Sequence, residues 1–152
     1  MRLTRPLGLL KPLFLALAVA FVSTPLVSCG YPQQALLDGA TAADQAEVLR
    51  AQGLRVRKVQ VTVVAPVYKI LADDTEGLPH QRFLILLRNG TTVLIAHDTR
   101  MAPRVPIRVG DTVKIHGEYI WNPKGGVIHW THHSDTPRHE GGWIDFDGQR
   151  YE

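Results

Sequence analysis

The 152-residue chain is expected to fold as a mainly β domain: a small closed barrel of five strands behind one short helix. Three observations carry that reading. From Arg55 onward, apolar and polar residues alternate instead of recurring at helical spacing. Asn89-Gly90 stands between two apolar runs, the strongest short-range hairpin signal, because both turn residues need positive φ. The first strand is long and interrupted by Pro66, so it can bend and serve two sheets.

Taken in order, residues 1–28 read as a secretory signal outside the fold. Arg2, Arg5 and Lys11 lead into the apolar run PLFLALAVAFV, which Pro12 and Pro25 bracket. The run is short, which favours a signal over a spanning helix. Leu26-Val27-Ser28-Cys29 then resembles the bacterial lipobox, in which a peptidase cuts before the cysteine. The resemblance implies that Cys29, the only cysteine in the chain, carries a diacylglyceryl group and that its new amine is acylated. Each buried methylene contributes about 0.8 kcal/mol, so one chain attaches reversibly, whereas two or three hold a protein on a membrane without a spanning helix. Gly30 stands where the sorting rule of Gram-negative lipoproteins places Asp for retention, so in a two-membrane host the expected address is the periplasmic face of the outer membrane.

The leader also distorts the charge. Its three basic residues are the whole excess of 17 Lys and Arg over 14 Asp and Glu, so the remainder is balanced with neutral histidines. That balance gives no strong nucleic-acid signal. Without a second cysteine no disulfide can staple the domain, which rests on its core; a chain of this length buries about two thirds of its unfolded surface.

Residues 29–40, rich in Gly, Pro and Gln, read as a lipidated tether, and 41–152 as the barrel domain. Thr41 and Asp44 have N-cap and N3 spacing. Ala42, Ala43, Ala46 and Ala51 favour a helix and Gly53 stops it, so a helix is expected over 41–52. RVRKVQVTVV then puts Val59, Val61 and Val63 on one side and Lys58, Gln60 and Thr62 on the other. A bulge or bend is expected at Pro66, and VYKIL runs on to the turn ADDTEGLPH. QRFLILLR and TTVLIAH form the hairpin about Asn89-Gly90. After the loop TRMAPRVPIRVGD comes TVKIHGEYIW, where Gly117 suits a barrel corner. NPKGG turns into GVIHWTHH, and WIDF-DG-QRY is a terminal hairpin. A long bent strand, a tight hairpin, a longer connection and a second hairpin make an OB-like five-stranded barrel. Another small barrel, or a partly open sandwich, satisfies the same pattern.

HQRFLILL, LIAHD with APR shortly after, GDTVKIHGEY, and GGVIHWTHH followed by H-x-GGW together resemble the bacterial family filed as domain of unknown function 3465. The resemblance spans about residues 55–152, and its most specific part is the run from His129 to His133. It implies a secreted or membrane-linked small β domain with no assigned activity. In that family's pattern an Asp-Pro pair follows the double histidine, whereas this chain has Ser134-Asp135.

Four of the seven histidines lie in GGVIHWTHHSDTPRHEGGW. On a fully extended strand, His129 and His133 share a face but stand about 13–14 Å apart, too far for one metal with bonds of about 2.0–2.1 Å. His132 takes the opposite face with Ile128 and Trp130. Zinc, or another divalent transition metal, held by His129, His132, His133 and His139 therefore requires the strand to end near Thr131. The alternative is structural: imidazoles bonded to backbone groups at a strand end.

The first hairpin offers a second constellation. A two-residue turn sets Arg88 opposite Thr91 and, counting outward, Arg82 opposite His97 and Gln81 opposite Asp98. Its open end then carries His80, Arg82 and His97 beside Asp98, groups able to bind an anion or move a proton. The plainer reading has Arg82 and Asp98 satisfying loop backbone and each other. Glu118 reads as a solvated face, Asp73 and Asp74 as an acidic turn, Asp111 as turn chemistry, and Trp130 as core.

The leading functional expectation is a lipid-anchored, periplasm-facing binding or accessory domain. Its ligand surface combines His80, Arg82, His97, Asp98, Arg104, His129 and His132, and its partner is a small anionic ligand or an envelope protein. One alternative is a metal-assisted hydrolase, for instance of a phosphodiester, with histidine as ligand or base and Arg82 or Arg104 stabilising a developing anion. Another is a structural envelope lipoprotein. No nucleophile elbow, phosphate loop, dinucleotide fingerprint or helical zinc motif occurs.

Overall fold

A computed structural model describes residues 41–152; the expected signal, Cys29 and the tether lie outside them. The domain opens with a capping box. The Asp44 N–H donates to Thr41 Oγ1 at 3.3 Å, and the Thr41 N–H donates to Asp44 Oδ2 at 2.9 Å. The Thr41 hydroxyl, also bonded to this carboxylate, is the chief reason the Asp44 carboxyl titrates below its usual range. A 3-10 turn, Ala43–Gln45, leads into α1, Ala46–Gly53. Just beyond the helix, Arg55 is left-handed, at φ 54°. Val48 and Ala51 face the core, while Gln45 Nε2 donates to Val64 O at 3.1 Å and Gln45 Oε1 accepts from the Arg88 N–H at 2.9 Å.

The strands are β1 (Val59–Ile70), β2 (His80–Leu86), β3 (Thr92–Asp98), β4 (Thr112–Ile120), β5 (Val127–His129), β6 (Trp143–Phe146) and β7 (Gln149–Tyr151). The order β1-β2-β3-β5-β4, with β1 also paired to β4, closes the expected five-stranded barrel. β3 and β5 run parallel; the other pairs are antiparallel. The β6–β7 hairpin extends the sheet from β4.

β1 serves both sides of the barrel. Val59 to Pro66 pairs with β4, and Val67 to Ile70 with β2. The irregularity falls between Val67 and Lys69, just past Pro66 rather than at it. Pro66 is the last rung against β4, so its missing N–H breaks no ladder; the next donor, Val67 N–H, bonds Asp111 O at 2.8 Å. Alternate residues fill the interior, among them Val61, Val63, Phe83, Ile85, Val93, Ile95, Ile115, Tyr119 and Ile128. Gly117 lets β5 cross closely, since a β-carbon there would lie 2.5 Å from His129 O.

The β2–β3 turn is one residue longer than the two-residue count. The Leu87 N–H donates to Thr91 O and the Gly90 N–H to Leu87 O, each at 2.9 Å. Arg88-Asn89-Gly90 is thus a three-residue loop whose last residue is left-handed, at φ 80°. The register becomes His80↔Asp98, Gln81↔His97 and Arg82↔Ala96, so His97 does not stand opposite Arg82. A one-residue slip changes the face: His97 joins Gln81 and Phe83 inside, while His80, Arg82 and Asp98 lie on the outer face.

Candidate functional site

β5 ends at His129 because Trp130 turns left-handed, at φ 52°, a conformation bulky residues rarely adopt. The turn ends the alternation that would have separated His129 from His132. Both now border the outer face of β2 and β3, where a cleft of about 180 Å³ is lined by Leu78, His80, Ala96, Asp98, His129, Trp130 and His132. The chain before β6 pins this corner: the Gly142 N–H donates to His132 O at 2.7 Å. A β-carbon on Gly142 would lie 2.1 Å from Trp130 O and 2.4 Å from His116 O, so the crossing requires glycine.

Hydrogen bonds set the histidine tautomers. A carbonyl oxygen only accepts, so a ring nitrogen bonded to one carries the proton. His132 Nδ1–H donates to His133 O at 2.7 Å, which leaves Nε2 with its lone pair in the neutral ring. His129 Nε2–H donates to Glu118 Oε1 at 3.1 Å, which leaves Nδ1 as the acceptor. Glu118 is buried, and its other oxygen meets Lys58 Nζ at 3.0 Å. Burial pushes the His129 pKa below the ordinary histidine value, and the Glu118 carboxylate opposes that shift.

His97 is fully buried behind the cleft. Its Nε2–H donates to Pro103 O at 3.1 Å and its Nδ1 accepts from Thr131 Oγ1 at 2.9 Å, so both nitrogens are spent. Burial pushes its pKa down. Gln81 holds the same loop: Nε2 donates to Val105 O at 2.8 Å and Oε1 accepts from Val105 N–H at 2.9 Å. His97 is a brace between β3, the loop after it and Thr131.

The family model described as Protein of unknown function (DUF3465) matches residues 33–152, most of the chain. The chain belongs to that family. No curated protein matches it.

The DUF3465 match contains α1, the barrel and every residue of the cleft. Within it, the structure gathers His80, Asp98, His129 and His132 and leaves the other expected site residues elsewhere. Arg82 Nε donates to Ala72 O at 2.9 Å, and its guanidinium lies 4.0 Å from Asp74. Arg104 makes a fork onto Asp73, with contacts of 3.0 to 3.2 Å. His133 pairs with Asp135 at 3.1 Å, and His139 stacks on Trp130 with ring centroids 3.9 Å apart. The four expected metal histidines are therefore split between the cleft and its rim. Among the described residues, no group of three or more His, Cys, Asp or Glu is placed to hold a metal ion.

The sequence misplaces two residues, one lining the cleft and one bonded to a lining histidine. Glu118 is buried against His129 rather than solvated, and Trp130 is a cleft wall rather than core. The signal for Glu118 was present, because counting outward from the 121–126 turn places Glu118 directly across from His129. A wider groove of about 670 Å³ runs between α1 and the β2–β3 and β4–β5 turns. Several of its polar groups serve each other: Gln52 Nε2 donates to Gly125 O at 2.9 Å, and Gln52 Oε1 accepts from Asn89 Nδ2 at 2.8 Å and Thr91 Oγ1 at 3.0 Å. That groove is the closure of the helix over the barrel end.

Proposed function

We propose that this DUF3465 protein is a periplasm-facing binding module, held at the outer membrane by acyl chains on Cys29, with the His80–Asp98–His129–His132 cleft as its ligand site. The observation that carries the reading is convergence: β2, β3, the end of β5 and the turn after it each contribute polar side chains to one hollow. OB-like barrels present ligands on the face formed by strands two and three, the face this cleft occupies; that support is an analogy of fold. The test is a nuclear magnetic resonance screen of small cations, anions and sugars against the full chain. Hits should move the Trp130 and His132 side-chain signals, and Ala96→Leu, which fills the cleft from the outer face, should abolish them. Hits that instead cluster at the groove beside Trp121, or ignore Ala96→Leu, would sink the reading.

A hydrolase is the second reading, and the Glu118–His129 pair at 3.1 Å favours it. A carboxylate that holds one ring nitrogen orients the other as a general base, an arrangement worth about 10²- to 10⁴-fold in rate. Turnover of bis-p-nitrophenyl phosphate, with or without added zinc, should then fall by that factor in Glu118→Gln. No turnover by the wild-type chain under either condition removes the hydrolase.

A further inference from the structure

We infer that the cleft receives a primary ammonium group on a short aliphatic stem. The inference rests on the reading of the cleft as a ligand site and adds the chemistry of what enters it.

The cleft holds hydrogen-bonding capacity that the protein itself leaves unused. Among the described residues, Gln60 Oε1 is the one side-chain nitrogen or oxygen buried without a partner. His132 Nε2, His129 Nδ1 and Asp98 Oδ2 also bond to no described residue, so these atoms are open to solvent. His132 is only 3% exposed and Asp98 only 6%, and both line the cleft. All three atoms are acceptors: two imidazole lone pairs, by the tautomers derived above, and a carboxylate oxygen. An anion would set more lone pairs against these three acceptors; the His80 ring and the Trp130 indole N–H, the other polar groups of the lining, are the only side-chain donors left there among the described residues. An ammonium brings three donors, no acceptor and a positive charge.

Among the described residues, no lysine or arginine lines the cleft to fill this role. Lys58 lies against Glu118, on the far side of His129. Arg100 meets Asp98 through Oδ1, by its backbone N–H at 2.9 Å and by Nε at 3.8 Å. Neither Lys58, Arg82 nor Arg100 lines the cleft. Trp130 supplies a ring wall of the kind that attracts cations, and Leu78 and Ala96 supply apolar surface for methylenes. The volume, about 180 Å³, falls below the roughly 300–1,000 Å³ of drug-sized sites; it suits an amine the size of a side chain and excludes a nucleotide. A metal ion asks ligands to converge at about 2.0–2.1 Å, which no three groups here do. Hydrogen bonds from an ammonium are about 2.7–3.2 Å long, so their acceptors stand farther apart.

The test titrates the full-length protein with cadaverine and with 1,5-pentanediol, its uncharged counterpart. Nα-acetyl-lysine methylamide, inorganic phosphate and zinc chloride are run in parallel. Cadaverine is expected to shift the His132 and Trp130 signals, and pentanediol to leave them unmoved. Asp98→Asn should weaken cadaverine at least about tenfold, the loss expected for one charge-assisted hydrogen bond. Ala96→Leu should block it with melting unchanged, which guards against a folding defect in the Asp98 variant. Blocked lysine binding beside cadaverine identifies a protein side chain as the source, and cadaverine alone a free diamine; either upholds the ammonium. Equal binding of pentanediol, phosphate binding at the same residues, or zinc binding that requires His129 and His132 overturns the ammonium while keeping the cleft as a ligand site. If no compound disturbs the cleft, the ammonium and the binding-module reading fall together.

Discussion

His97 has room for one proton. Its Nε2–H points at Pro103 O and its Nδ1 at the Thr131 hydroxyl, and the residue has no exposed surface. Burial, with neighbouring His132 adding to it, makes the folded ring a weaker base than the same ring in the unfolded chain; the Pro103 and Thr131 bonds and Asp98 oppose the shift without reversing it. Below the unfolded value of about 6.5, the unfolded chain therefore holds a proton that the folded chain refuses. Stability rises with pH wherever the unfolded state binds more protons, so this contribution is present above about pH 6.5 and is lost as pH falls through the depressed folded value. His129, also lowered by burial, acts in the same direction. Melting temperature should thus drop between about pH 7.5 and 5. His97→Gln should flatten that drop and cost roughly 1–3 kcal/mol at neutral pH, because Thr131 and Pro103 lose a buried partner. Parallel melting curves for the variant and wild type across this range would show that another group governs the acid response.

Between elements, the site depends on a crossing rather than on a strand. β5 is three residues long, and the turn after it is held in place because residues 140–142 run over Trp130 and Thr131 with no space for a β-carbon at Gly142. The clash is with backbone oxygens, which cannot swing away as a side-chain tip does. Gly142→Ala should destabilise the domain by about 1–3 kcal/mol, the usual cost of overpacking, and should release the stack of His139 on Trp130. A raised exposure of Trp130 in fluorescence quenching, with β content retained by circular dichroism, is the expected signature; unchanged melting would mean the crossing is looser than its contacts imply. The β2–β3 hairpin teaches the complementary lesson. Asn89-Gly90 correctly announced a turn, but turn length is decided by which carbonyl the Leu87 N–H finds, and that one residue sent His97 inward and left His80 and Asp98 outside.

For the molecule as a whole, the barrel is a platform with polar groups gathered at one end and a helix across the other. α1 seals the end where the β2–β3 and β4–β5 turns lie, and the cleft opens where β2 begins and β3 and β5 finish. Cys29→Ser is expected to move the protein from the membrane fraction to the soluble fraction of its host, with the barrel's melting unaltered. Persistence of the variant in the membrane fraction would refute acylation at this position.

The strand alternation, the Asn-Gly and Asp-Gly turns, the capping residues Thr41 and Asp44 and the small residue at the Gly117 corner are local signals, so the sequence alone determined a mainly β barrel with its helix first. Local signals also marked His80, Asp98, His129 and His132 as worth attention. Which of them meet was decided only in three dimensions, because alternating faces make every partnership hostage to a single residue of turn length or one left-handed backbone angle. Closing the barrel placed the start of β2 beside the end of β5, buried Glu118 under His129, and drew Arg82 and Arg104 away to the acids of the β1–β2 loop. Convergence of that kind is a property of the closed sheet, where residues far apart in the chain share one surface, and no window of sequence contains it.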